Sequence, residues 1–116
     1  MSLDFSINSV HIAKILCDIP SVSGNEQAVA DLIQESLSAF SHLNVERISN
    51  NIIAKTSLGR DKRVVIAGHI DTVPIKDNVP AKFIEDDTIL WGRGTVDMKS
   101  GAAVMVKLAA ELAEPL

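Results

Sequence analysis

Apolar residues recur at helical spacing in three stretches, with short β-prone runs between them. Ile12, Ile15, Leu16 and Ile19 stand at i, i+3, i+4 and i+7, which predicts one buried helix face, capped by Ser9 and ended by Pro20. Ser23-Gly24-Asn25-Glu26 reads as a capping box, with serine and glutamate three apart. The helix it opens places Val29, Leu32, Ile33, Leu37 and Phe40 on one side. Val45–Ser49 and Ile52–Ser57 predict a hairpin turned at Asn50-Asn51, because asparagine tolerates positive φ. Arg63–Gly68 holds Val64-Val65-Ile66-Ala67, apolar on both faces, which predicts a central strand covered by helices on both sides. Phe83-Ile84-Glu85 and Thr88-Ile89-Leu90 flank Asp86-Asp87 as a second hairpin. A last helix runs from about Met98 to Ala113, with Val104, Met105, Leu108, Ala109 and Leu112 as its apolar stripe. Helices around a hydrophobic strand predict a layered α/β/α domain, with a mixed sheet and helices on both faces.

Composition narrows the function classes. The chain has 116 residues, 47% of them hydrophobic, and a net charge of −4, so one domain with an aliphatic core is expected. Lys and Arg form no basic stripe, which argues against nucleic acid. No apolar run is long enough to span a bilayer, and Met1-Ser2-Leu3-Asp4 does not open a signal peptide. The single cysteine, Cys17, falls on the apolar helix face as a buried thiol. A cytoplasmic location is the simplest expectation.

Two segments carry chemistry. Gly68-His69-Ile70-Asp71-Thr72-Val73-Pro74 follows the expected central strand, where open α/β sheets place their ligand sites. His69 and Asp71 are two apart, so an extended chain points both to one side. The imidazole then reaches a metal with one nitrogen, while Asp71 holds the other. Gly92-Arg93-Gly94-Thr95-Val96-Asp97-Met98-Lys99-Ser100-Gly101 delivers an acid to the mouth of a helix. A carboxylate there has two oxygens with which to bridge two ions. Taken singly, His69 and Asp71 read as a surface pair, and Asp97 reads as the N-cap of the last helix. His11 reads as a surface or boundary position on the first helix, His42 as a loop residue with no partner acid nearby, and Arg93 and Lys99 as solvated charge unless an anionic substrate meets them. The glycine turn lacks both the Walker ending and the dinucleotide spacing, so no nucleotide cofactor is expected.

Together the two segments resemble the aminoacylase/carboxypeptidase-type family of dinuclear zinc hydrolases. The stretch Pro20-Ser21-Val22-Ser23-Gly24-Asn25-Glu26 looks like that family's N-terminal segment. The resemblance implies His69 as a ligand to one zinc, Asp97 as the bridge between two, and Asp71 as the acid that orients His69. It also implies a cis peptide at Asp97-Met98. Two Zn2+ ions, or Co2+ in their place, are expected in a complete site. The implied reaction is removal of an acyl group from an N-acyl amino acid. Within the family the two blocks look most like enzymes acting on N-succinyl-diaminopimelate, in lysine and diaminopimelate biosynthesis.

The resemblance stops before the family's other parts. No Glu-Glu pair follows Asp97 to serve as general base and ligand, and no later acidic or histidine ligand follows. The inserted domain that pairs two subunits is absent too. The chain is therefore expected to be the N-terminal part of the catalytic domain, inactive alone and prone to self-association, from a homodimeric parent. Zinc sites take three or four protein ligands, so two cannot hold both ions in catalytic geometry. The alternatives are an acetylornithine deacetylase or dipeptidase of the same family, a non-catalytic binding module, and a phosphate-binding α/β domain.

Overall fold

A computed structural model describes residues 1–115. Its elements are α1 (Ser9–Asp18), α2 (Gln27–Ser38), β1 (Asn44–Ile48), β2 (Asn51–Lys55), β3 (Lys82–Ile84), β4 (Ile89–Trp91) and α3 (Lys99–Glu111). The described residues are mixed α/β: three helices with two small antiparallel ladders, β1 with β2 and β3 with β4. One isolated parallel bridge joins Val22 to Thr72.

The core forms where the helical periodicity places it. Ile12 and Leu16 of α1, Val29, Leu32, Ile33 and Leu37 of α2, and Ala102, Ala103 and Val106 of α3 make one buried cluster. Cys17 is buried and free, and burial raises its thiol pKa. α1 is capped by Asn8 rather than Ser9: the Asn8 side chain accepts the His11 backbone N–H at 3.0 Å. Asparagine and serine cap about equally well, so sequence alone leaves the register open by one residue.

α3 buries the opposite face from the one expected. Its small residues Ala102, Ala103 and Ala110 are buried with Val106, whereas Val104 and Leu112 are exposed. Small side chains let α3 approach α1 closely. Met105, Leu108, Ala109 and Leu112 instead line an open groove of about 1480 Å³ between α3, α2 and the first hairpin.

That groove is bordered by the segment expected to form the central strand. Arg63–Gly68 is in no ladder, and Val64, Val65 and Ile66 are 87%, 78% and 58% exposed. A strand needs a neighbour for its N–H and C=O groups. Among the described residues no strand pairs with this run, so its apolar character finds no sheet to join. The α/β class stands without that strand.

The first hairpin turns at Ser49-Asn50, because Ile48 pairs with Asn51. Ser49 takes the positive φ of 55°, not the expected Asn50-Asn51 pair. Arg47 explains the shift. Its guanidinium donates to Asp31 and Gln34 of α2, each at 3.0 Å, and to Asn50 at 2.9 Å, which pins the turn against the helix. In the second hairpin Glu85, Asp86 and Asp87 all adopt positive φ. Aspartate is enriched in that region, and all three residues are exposed.

Candidate metal site

His69 and Asp97 meet although 28 positions separate them. His69 Nε2 lies 2.8 Å from Asp97 Oδ1. The other ring nitrogen, Nδ1, lies 3.1 Å from Asp71 Oδ1 and 3.2 Å from the Asp71 backbone carbonyl. The imidazole is thus held between two carboxylates. The hydrogen bond to Asp97 raises its pKa above the ordinary histidine value, and Asp71 adds to the effect. Asp71 is pushed below its ordinary value first by the Ser23 hydroxyl and then by His69.

Local structure places each group. Asp97 precedes α3, whose capping position is Met98, and no side-chain cap bond forms there. The carboxylate is therefore spent on His69 and not on the helix end. The Asp97-Met98 peptide is cis. Gly94 takes φ +85°, and a Cβ on it would fall 3.0 Å from the Thr72 methyl and 3.1 Å from Lys99 Cδ. Gly68 is equally tight, since a Cβ would meet the Met98 methyl at 2.6 Å. These contacts draw the two chemical segments together. A small cleft of about 240 Å³ opens beside them, lined by His69, Asp71, Arg93 and Asp97.

The donor set is partial. An imidazole nitrogen and a carboxylate are groups that zinc takes. Among the described residues, no group of three or more His, Cys, Asp and Glu side chains is placed to hold an ion. His11 and His42 lie elsewhere: His11 stacks obliquely on Phe83, and His42 Nε2 meets the Ala109 carbonyl at 2.8 Å.

Two residues of this region escape the sequence reading. Ser23 does not cap α2. The helix begins at Gln27 behind Glu26, which makes no side-chain cap bond, and Ser23 Oγ donates to Asp71 Oδ2 at 2.5 Å. The family-like stretch Pro20–Glu26 was the available signal, since it marks the segment without giving the serine a role. Lys99 is buried and not a solvated charge, and its ammonium donates to the Leu16 and Ile19 carbonyls. Burial lowers its pKa. No local pattern could have revealed partners so distant in sequence.

The sequence is similar to that of known proteins. Residues 65–116 match the model for "Peptidase family M20/M25/M40". The "Succinyl-diaminopimelate desuccinylase" of Corynebacterium glutamicum is 46% identical over 113 residues, covering 96% of this chain and 30% of that protein. A Caulobacter protein of the same name is 33% identical over 120 residues, again covering 96% of this chain and 30% of its own length. One from Nitratiruptor is 32% identical over 107 residues, 88% of this chain and 29% of the relative. The chain thus spans about 30% of the length of the curated relatives it matches. The matched stretch 65–116 carries His69, Asp71 and Asp97.

Proposed function

We propose that this chain is the N-terminal part of the catalytic domain of a zinc-dependent amide hydrolase, with N-succinyl-diaminopimelate as the substrate and its succinyl group as the group removed. The observation that carries the reading is the arrangement of His69. Its Nε2 faces the Asp97 carboxylate at 2.8 Å, while its Nδ1 faces Asp71 at 3.1 Å. An imidazole held at one nitrogen by an acid presents the other to a metal in a fixed tautomer. His69 and Asp97 would hold the metal, and Asp71 would orient His69. The names of the relatives support the substrate.

Zinc, or Co2+ in its place, would supply polarisation of the amide carbonyl and acidify a water. Two donors fall short of the three or four that zinc takes, so the remaining ligands and the general base come from outside these residues. The chain alone is then inactive and binds zinc weakly. The complete protein acts in the cytoplasm, as a homodimer, in diaminopimelate and lysine biosynthesis.

Zinc titration by calorimetry tests the reading, with His69→Ala and Asp97→Ala as controls. Weak binding that disappears in both variants supports it. Absence of binding, or binding that survives either substitution, overturns the assignment of these residues as ligands.

A further inference from the structure

The Asp71 carboxylate divides its two oxygens between partners from different parts of the chain. Oδ1 faces His69 Nδ1 at 3.1 Å, and Oδ2 accepts the Ser23 hydroxyl at 2.5 Å. An ionised carboxylate only accepts hydrogen bonds, so the serine is the donor. The segment around Ser23 is itself fixed. The Thr72 N–H donates to the Ser21 carbonyl at 2.8 Å, and the Ser23 N–H donates to the Thr72 carbonyl at 3.0 Å. The buried Ser21 hydroxyl donates to the Ile70 carbonyl at 2.6 Å. Residues 21–23 and 70–72 are thereby clamped side by side, with the Val22–Thr72 bridge at the centre.

We propose that Ser23 is a positioning residue for His69, acting through Asp71. Its hydroxyl holds Asp71 in the rotamer that offers Oδ1 to His69 Nδ1. With Asp71 fixed, the ring is held with Nδ1 towards Asp71 and Nε2 towards Asp97. A helix-capping role is excluded by geometry, because α2 starts at Gln27 and the Ser23 hydroxyl is spent on Asp71 and, at 3.4 Å, on the Thr72 carbonyl. Carboxylate partners of this kind hold metal-ligating imidazoles in one orientation, and their loss costs about 10–100-fold in metal affinity. Ser23 stands one bond further out.

The inference rests on the metal reading only for its zinc arm, and the test keeps the two apart. Ser23→Thr retains the hydroxyl, and Ser23→Val has the same shape without it. Both are made in the 116-residue chain, with unfolding midpoints in urea recorded to confirm that each folds. The first readout is the pair of His69 ring nitrogen shifts in metal-free protein, by long-range 1H–15N correlation. Wild type and Ser23→Thr should give the same pair of shifts, while in Ser23→Val the Nδ1 shift moves as its hydrogen bond to Asp71 weakens. The second readout is zinc affinity, expected about 10-fold weaker in Ser23→Val and within about 2-fold of wild type in Ser23→Thr. Unchanged ring shifts in Ser23→Val overturn the role of Ser23, whatever zinc does. If wild type binds no zinc, the metal reading fails and the ring shifts still decide the role of Ser23.

Discussion

The Lys99 ammonium lies 2.8 Å from the carbonyl oxygen of Leu16, and it donates a second hydrogen bond to Ile19 at 2.6 Å. These carbonyls belong to the last turn and C-cap of α1, which has no basic residue of its own there. Lys99 opens α3 directly after Asp97-Met98. One side chain thus closes the end of one helix and fastens the start of another. Lys99 is only 1% exposed, and its loss leaves the Ile19 carbonyl without this donor and the Leu16 carbonyl with only the Ile19 N–H at 3.3 Å.

Lys99→Met keeps most of the volume and removes those donors. Hydrogen bonds to charged groups contribute about 1.5–3 kcal/mol, so a loss of about 2–3 kcal/mol is expected. Urea unfolding at pH 7 measures it. A loss under about 0.5 kcal/mol, the range of an ordinary surface change, would mean that water reaches the carbonyls.

Gly94 and Gly24 both hold positive φ, at +85° and +96°, but only Gly94 is crowded. No atom lies within 4 Å of a Cβ built on Gly24. Gly24→Ala should therefore carry only the left-handed backbone penalty, about 1–2 kcal/mol. Gly94→Ala adds the approach to Thr72 and Lys99 and should cost more. It should also weaken zinc binding, because the turn it deforms carries Asp97. Equal costs for the two variants would show that the turn yields without strain.

Glu26 gives a pH-dependent expectation. Its carboxylate accepts the Gly24 N–H at 2.6 Å and the Asn50 amide at 3.3 Å. The Gly24 hydrogen bond is the main cause of its lowered pKa. A lowered native pKa means that the unfolded chain binds more protons in the acid range, so stability rises with pH there. The contribution is present above the unfolded value of about 4.3 and is lost as pH falls through the native value. Glu26→Gln should be less stable than wild type at pH 7, and the gap should close at about pH 3. Urea midpoints at the two pH values test this, and a gap that persists in acid contradicts it.

Much of this architecture is legible in the residues because it rests on short-range periodicity. The apolar faces of α1 and α2, both hairpins and the His69–Asp71 pair follow from spacing alone. What stays hidden depends on partners distant in the chain. Ser23 at a helix start looks like a cap until Asp71 arrives beside it. Lys99 looks like surface charge until α1 ends against it. α3 is apolar on two sides, and spacing could not say that its small residues would face α1. Val64-Val65-Ile66 has the composition of a central strand, but a strand is a property of pairs, and composition supplies one member.

That unpaired run leads to the last expectation. Val64 and Ile66 line the same open groove as Met105 and Leu112, with the Val65 side chain also exposed. Its backbone N–H and C=O groups join no ladder, and exposed apolar segments of this kind pair with other chains. The 116-residue chain should therefore self-associate in a concentration-dependent way by sedimentation velocity. Val64→Lys with Ile66→Lys should shift it towards monomer, since charge on one face of an extended run opposes both burial and edge pairing. The substitutions fall on side chains that already meet solvent, so the urea midpoint should change little. A monomer at all concentrations in the wild type would mean that the groove closes on itself in solution. Association that survives the double substitution would move the contact to another surface, with exposed Val104 on α3 the next position to change.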